Sequence, residues 1–381
     1  MQPLRILQVF ATLDRGGAES RVMDLYAALD RDRVQFDFLV MAEGRHSFDD
    51  EVEKLGGRKF VIRHPREEGF RAHVLDLVRL LRSQGPFHAV HAHTSYHSGL
   101  ILAVCWALGI KRRVAHARTT GFNRLSGSNR LLLRLGRALI NRFATARLAI
   151  SKDAALFLFG PEALNDTNVK VVPNAIPLDR FATVPAAAVS VLKESLGLLE
   201  SPSLVLGHVG RFSRVKNHEF LLRVLEQLRA RGREVTLLCV GGGELQPAIQ
   251  KQASKLGLDK VVHFLGVRED VHTVLSAVDV FAMPSLYEGL GGAAIEAQAA
   301  GLPCFLSDQC PASVDLGLGL VHFLPINDPS VWATALETSE CKRIPFAEVE
   351  TAFMNRGFTI QRALECFADA YGIALRDFVR K

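Results

Sequence analysis

The chain is predicted to be an α/β protein of two doubly wound parallel-sheet domains, and three observations carry that expectation. Its 381 residues exceed what one hydrophobic core comfortably holds. Short apolar runs alternate with longer amphipathic segments, the rhythm of βαβ units. That rhythm breaks once, from Pro173 through Pro185 to Ala188, and then starts again.

Taken in order, strands are expected at Arg5–Phe10, Phe36–Met41, Lys59–Arg63, Ala89–His93, Arg113–Ala117, Thr145–Ser151 and Val169–Val172. Each is a run of the length and apolar character of a strand buried in a parallel sheet. Helices fill the gaps, notably one opening at Gly16-Gly17 and running through Leu29, then Phe70–Ser83 and Ser98–Leu108. The stretch after Pro173-Asn174-Ala175-Ile176-Pro177 has little strand character and is read as a linker. The second half offers strands at Leu204–Val209, Val235–Val240, Val261–Leu265, Val278–Met283 and Pro303–Leu306. Its helices fall at Asn217–Arg231, Glu244–Leu256, Asp270–Ala277 and Gly292–Ala300, and an amphipathic terminal helix is expected over Thr359–Val379. The domain limits on this reading are 1–174, 175–358 and a terminal helix over 359–381. Ligands of such sheets gather beyond the carboxyl ends of the strands, and two such domains facing each other would form a cleft.

Composition excludes several classes. The hydrophobic fraction of 48% and charged fraction of 23% are ordinary for a globular protein. Six scattered cysteines, without CxxC or zinc spacing, read as reduced core thiols of a cytoplasmic protein. The apolar run at Leu4–Phe10 is too short for a signal peptide, and no run reaches transmembrane length. The net charge of +6 is unevenly placed: residues 1–180 hold 27 Lys+Arg against 18 Asp+Glu, while Lys111–Lys152 carries 11 basic residues and no acidic one. Within it, Asn129–Phe143 mixes arginines with aliphatics at helical spacing. Such a segment suits either a basic outer helix face or peripheral attachment to an anionic membrane, here the inner face of the cytoplasmic membrane. No recognition motif accompanies the charge, so nucleic acid is not an expected partner.

Four motifs carry chemistry. In Tyr287-Glu288-Gly289-Leu290-Gly291-Gly292, Glu288 falls in a strand-to-helix turn, and Glu296 lies inside the helix that follows. The amides of that helix N-terminus could receive a phosphate, and the carboxylates would accept hydrogen bonds from hydroxyls. Spacing alone also fits a bland reading, in which Glu288 favours the helix dipole and Glu296 is solvated. Gly210-Arg211-Phe212-Ser213-Arg214-Val215-Lys216 sets two cations, Arg211 and Lys216, between a strand and a helix, where they could stabilise a leaving diphosphate. Gly16-Gly17 after the first strand lets a ligand approach the backbone; it is not a GxGxxG fingerprint. His91, His93 and His97 are clustered, with His116 closing another strand, but no carboxylate or cysteine accompanies them to make a metal site.

Together these motifs resemble the GT-B fold retaining glycosyltransferases of family 4, and the bacterial exopolysaccharide-assembly subgroup in particular. The residues that carry the resemblance are Glu288-x7-Glu296 with Gly289, Gly210-Arg211…Lys216, Pro173-Asn174-Ala175, Gly16-Gly17-Ala18-Glu19, Phe264-Leu265-Gly266-Val267-Arg268 and Glu296-Ala297-Gln298-Ala299-Ala300-Gly301. The resemblance implies two Rossmann-like domains with a C-terminal crossover helix. It implies transfer of a hexose or N-acetylhexosamine from a nucleotide diphosphate sugar, UDP-linked, to a glycan or lipid-linked acceptor, with no metal or cofactor. It assigns Glu288 to the transferred sugar, Glu296 to the nucleotide ribose, Arg211 and Lys216 to the diphosphate, and His116 to a place beside the sugar. Gly266, Val267 and Arg268 would frame the base, with Gly289, Leu290 and Gly291 in the turn under the sugar and Gly16 and Gly17 in the first domain. Relatives often carry larger apolar residues after Glu-Gly-Leu; Gly291-Gly292 here loosens that turn. Two other readings of the same motifs are a nucleotide-sugar 2-epimerase and a nucleotide-sugar-binding scaffold without turnover.

Overall fold

The computed structural model describes residues 2–119, 127–199 and 203–379. The chain divides into two compact units, Met1–Ile176 with Gly357–Lys381, and Pro177–Arg356.

The first unit is a parallel sheet of strands β1 (Leu4–Val9), β2 (Val34–Val40), β3 (Lys59–Val61), β4 (Ala89–Ala92), β5 (Arg112–Ala117), β6 (Ala146–Ala149) and β7 (Val169–Val171). Their order is β3-β2-β1-β4-β5-β6-β7. Every pairing is parallel, so each connection must cross over, and helices on the faces bury the strands on both sides. The core gathers Phe36, Phe38 and Tyr26 with Phe367, Tyr371 and Phe378 of the returning C-terminal segment.

β2 carries one charged residue, Asp37, which is fully buried. Its carboxylate accepts from Arg5 Nη1 at 2.5 Å, and from the backbone amide and Nη2 of Arg58 at 3.0 and 2.7 Å. A buried charge persists only when paired and hydrogen-bonded, and these contacts supply that.

The second unit repeats the plan with β8 (Leu204–Val209), β9 (Val235–Val240), β10 (Val262–Phe264), β11 (Val280–Met283), β12 (Cys304–Ser307) and β13 (Val321–Leu324), in the order β10-β9-β8-β11-β12-β13. Its core runs from Leu206, Phe220 and Leu237 to Trp332, whose indole N–H donates to the Pro325 carbonyl at 2.8 Å.

Three local expectations need correction. The stretch read as a linker contains the helix Ala186–Ser195, which starts after Pro185 and seats Leu192 in the second unit. Its alanine-rich sequence is a good helix former that lacks only strand character. β13 was not expected, because its residues are half-buried or exposed at the sheet edge and carry no continuous apolar run. The terminal helix is shorter, Ile360–Tyr371. Thr359 caps it, and it stops at Gly372, whose φ of 63° is left-handed. The chain then turns back, pairing Val379 with Leu29. All six cysteines are free and five are buried. Among the described residues no helix is long and apolar enough to cross a membrane.

Replacing Asp37 by Ala leaves Arg5 and Arg58 facing each other without their carboxylate. The expected cost is about 2–3 kcal/mol, below that of a fully buried pair because both arginines reach water. Asp37→Asn should recover part of it; equal melting temperatures for Asp37→Ala and wild type would contradict the assignment.

Candidate active site

In each sheet the strand order reverses at one point: between β1 and β4 in the first unit, and between β8 and β11 in the second. Crossovers leave in opposite directions there, opening a crevice beyond the carboxyl ends of the strands. Gly16, Gly17 and His91 lie at the first of these places and Arg211, Lys216 and Glu288 at the second, whereas Gly266, Val267 and Arg268 follow the edge strand β10.

In the second unit, the loop after β8 ends in a short 3-10 turn, Arg214–Lys216, and in Asn217 with left-handed φ 55°. Asn217 Nδ2 donates to the Pro284 carbonyl at 3.1 Å, and the Leu286 amide donates to the Val215 carbonyl at 2.8 Å. These bonds tie the loop after β8 to the loop after β11. Across the tie, Lys216 Nζ donates to Glu288 Oε1 at 2.6 Å, and Ser285 Oγ donates to the same oxygen at 2.6 Å. The pair is largely buried, with the side chains 19% and 12% exposed. Arg211 is placed differently: its side chain is 75% exposed and lies 3.5 Å from Glu244.

The helix Gly292–Ala299 opens after Gly291 (φ 80°) and has no side-chain N-cap, so its first-turn amides point at the same region. Leu290 is buried beneath the turn, Gly289 is half-buried, and Glu296 sits half-buried in the second turn of the helix. The loop after β9, Gly241-Gly242-Gly243, runs under the loop after β8, with the Phe212 amide donating to the Gly242 carbonyl at 2.9 Å. At φ 137° and 153°, Gly241 and Gly243 press against the carbonyls of Gly210 and Phe212, where a Cβ would have no room. Gly266 follows β10 at φ 67° and accepts from the Gly241 amide at 2.8 Å. Val267 is exposed, and Arg268 grips Asp270 with two bonds of 2.8 and 2.6 Å, holding that carboxyl below its usual range.

In the first unit, Gly16 and Gly17 follow β1 and open the helix Gly17–Ala27, again without a side-chain cap. The Glu19 carboxyl folds back over Gly16 and burial pushes its pKa up. His91 projects from β4, His93 directly follows that strand and His116 projects from β5, and their ligand-type atoms lie within 4.8 Å of one another. The rings are committed to hydrogen bonds. His93 accepts from Arg118 Nε at 3.2 Å and contacts Gln8 Oε1 at 3.0 Å; His91 contacts Tyr371 Oη at 2.7 Å and His116 at 3.2 Å. A guanidinium bonded to one ring and two other rings bonded to each other suit a neutral network better than a cation. Burial, with a smaller contribution from Arg118, pulls all three imidazoles well below their ordinary pKa. His97 is separate, beside His73 with ring centroids 4.9 Å apart.

Within the basic stretch Lys111–Lys152, of which residues 120–126 lie outside the described ones, Asn129–Phe143 belongs to the helix Gly127–Phe143. Leu133, Gly136 and Ile140 face inward, where Gly136 lies close to the Tyr96 backbone. Leu131, Leu132 and Leu135 are exposed beside Arg130, Arg134 and Arg142.

A family model for Glycosyltransferase Family 4 matches residues 15–180, and one for Glycosyl transferases group 1 matches residues 203–339. A putative glycosyltransferase, EpsF of Bacillus subtilis (strain 168), is 38% identical over 376 residues, covering 97% of each chain. The chain belongs to glycosyltransferase family 4. This glycosyltransferase is also 27% identical over 308 residues to the capsular polysaccharide biosynthesis glycosyltransferase CapH of Staphylococcus aureus, covering 77% of the chain and 78% of CapH. Among solved structures, HepE of Anabaena in complex with UDP-glucose matches with a TM-score of 0.76 over 97% of this chain and 99% of that one, at 23% identity. That match shows a shared GT-B fold.

Of the residues the sequence pointed to, the glycosyltransferase brings Lys216 and Glu288 into direct contact and sets Gly291 at the start of the helix that holds Glu296. Arg211 stays apart from the pair. Ser285, the glycine triplet at 241–243, Gln8 and Tyr371 were not singled out. The triplet after a strand was a readable turn signal, whereas nothing local marks Gln8 or Tyr371.

Removing Lys216 leaves Glu288 in a mostly buried place without its cation. Lys216→Met is expected to cost about 1–3 kcal/mol of stability. The Lys216→Met/Glu288→Gln double variant should melt above the single one, and purely additive losses in the cycle would refute the coupling.

Proposed function

We propose that this glycosyltransferase moves a hexose or N-acetylhexosamine from a UDP-linked donor to a glycan or lipid-linked saccharide in polysaccharide biosynthesis, with retention at the anomeric carbon. The observation that carries the proposal is the Lys216–Glu288–Ser285 cluster beside an uncapped helix N-terminus, at the switch point of the second sheet. The donor class is supported by the UDP-glucose complex of HepE, and the biosynthetic setting by CapH.

As the bond from the anomeric carbon to the diphosphate breaks, negative charge builds on the departing phosphate oxygens. Lys216 supplies a fixed positive charge there, and the first-turn amides of the helix Gly292–Ala299 add aligned dipoles. Glu288, held by Lys216 and Ser285, orients hydroxyls of the transferred sugar, and Glu296 accepts from the ribose. Arg211 adds a second cation by exchanging Glu244 for the diphosphate; its exposure leaves it free to swing. Gly266, Val267 and Arg268 frame the base through backbone groups, His116 contacts the donor sugar, and Gly16 and Gly17 keep side chains away from the ligand. With Lys216, Arg211 and the helix carrying the phosphate charge, the proposal assigns no step to a metal ion or cofactor.

The exposed leucines and arginines of the helix Gly127–Phe143 form a surface suited to an anionic membrane, where a lipid-linked acceptor would reside. On that reading the enzyme is cytoplasmic and attaches peripherally. Each basic residue near such a surface contributes about 1 kcal/mol.

Lys216→Ala should lower transfer from UDP-sugars about 10²–10³-fold, as loss of an oxyanion donor does; wild-type turnover would remove Lys216 from the mechanism. Product analysis by anomeric NMR reads the stereochemistry, and interconversion of the nucleotide sugar without an acceptor would favour the epimerase instead. UDP at a hundred times its Kd should stabilise the fold by about 2.7 kcal/mol. For the membrane, binding should be stronger to phosphatidylglycerol vesicles than to phosphatidylcholine vesicles, weaken in salt, and fall in Leu131→Ser/Leu135→Ser. Equal binding to both lipids would rule the surface out.

A further inference from the structure

The hydrogen bonds around His116 form one continuous chain with a single direction, and an arginine sets that direction. Arg118 can only donate. Burial lowers its pKa only to about 10, so it stays charged at neutral pH. Its Nη1 donates to Asn174 Oδ1 at 2.6 Å and its Nε to His93 Nδ1 at 3.2 Å. His93 Nδ1 is therefore an acceptor, and its ring proton sits on Nε2, which donates to Gln8 Oε1 at 3.0 Å. With its oxygen so engaged, the Gln8 amide cannot flip, and its Nε2 donates to Tyr371 Oη at 3.0 Å.

The Tyr371 hydroxyl, having accepted from Gln8, has one proton left and one acceptor offered to it, His91 Nδ1 at 2.7 Å. Burial holds the phenol well above its ordinary pKa, so that proton stays in place. His91 must then carry its own proton on Nε2, which points at His116 Nδ1, 3.2 Å away. The last link follows: His116 Nδ1 accepts, and the proton of its neutral ring is on Nε2. That nitrogen is buried and has no hydrogen-bond partner among the described residues. A neutral imidazole places its donor and its acceptor by what its neighbours require, and here no atom of the chain is left with a choice.

We propose that Arg118, His93, Gln8, Tyr371 and His91 are positioning residues that lock His116 as the Nε2–H tautomer, so that it offers a hydrogen-bond donor, and not a base, to an oxygen of the bound saccharide. The proposal rests on the saccharide-transfer reading for the identity of the acceptor oxygen, but the tautomer itself does not. A lone pair on His116 Nε2 would require reversing the protons on His91 and Tyr371. The phenol O–H would then be stranded in a buried site already occupied by the Gln8 amide, which costs the full desolvation of a hydroxyl. Tyr371 lies on the C-terminal helix Ile360–Tyr371, far in sequence from the strands it serves, and its ring is fully buried against His91 and Phe367.

The test is long-range 15N–1H correlation on full-length protein labelled at histidine, recorded without ligand and assigned with His116→Gln. The wild-type His116 signal should show a protonated Nε2 and an unprotonated Nδ1; a protonated Nδ1, or rapid mixing of the two forms, would overturn the proposal without recourse to any variant. Tyr371→Phe removes the one proton that fixes His91, and the His91 and His116 signals should move together toward mixed tautomers. Unchanged signals in a folded Tyr371→Phe protein would exclude Tyr371 from the role. In transfer assays with UDP-glucose that variant should lose about tenfold or more in kcat while KM for the donor stays within about twofold, by analogy with the outer partners of metal-bound histidines. If wild-type protein shows the expected tautomer yet transfers no sugar, the functional reading fails and the proton chain stands.

Discussion

Everything in this molecule depends on the parallel pairing of its strands. A parallel strand cannot be joined to its neighbour by a hairpin, so every connection crosses a face of the sheet, and every strand of a unit ends on the same edge. The loops that carry polar chemistry are thereby gathered along one line, whatever their distance in sequence. Lys216 and Glu288 are 72 positions apart and share a bond of 2.6 Å because β8 and β11 are neighbours. His91 and His116 meet for the same reason on β4 and β5. Where the strand order reverses, helices part and the polar loops are left accessible to a ligand.

The two units use buried polarity in different ways. The second keeps a formal charge on each partner and neutralises them against one another, with Ser285 donating to the same carboxylate oxygen. Such a pair can be reopened by an anion that competes for the lysine, which suits a site that handles phosphate. The first keeps its imidazoles neutral and orders their protons by a chain of bonds from one fixed cation. A neutral chain has little to gain from a passing ion, but it specifies the direction of each hydrogen bond. The Asp37 cluster, deep in β2, shows that the same unit tolerates a full charge where two arginines can reach it.

Much of this was readable from the chain. The strands at Leu204–Val209 and Val235–Val240 stand out as buried apolar runs with clean ends, and their limits coincide with the expected ones. The turn containing Glu288 and the helix containing Glu296 were likewise marked by a glycine-rich punctuation between an apolar strand and a stop at Gly301. Edges were harder: β13 has no apolar run because half of it faces solvent, and the Ala186–Ser195 helix lacks the contrast that separates a helix from a linker. Within the site, charged residues next to turns announced themselves, whereas Gln8 and Tyr371 did not. Each looks like an ordinary member of a strand or helix, and its importance comes from a partner hundreds of residues away. The side-chain direction of Arg211 was also hidden, since spacing sets where a residue stands and not which carboxylate it meets.

The return of the C-terminal segment to the first unit has a consequence for how the protein is made. During synthesis, residues through Ile176 emerge long before Gly357–Lys381, and the whole second unit is translated between them. Until Gly357–Lys381 has been made, the first sheet waits with Phe36, His91 and Gln8 unpaired by Tyr371. The second unit, continuous in sequence, can close as soon as it clears the exit tunnel. The half that is made first is thus completed last, and loss of Gly357–Lys381 would damage it rather than the unit next to it in sequence.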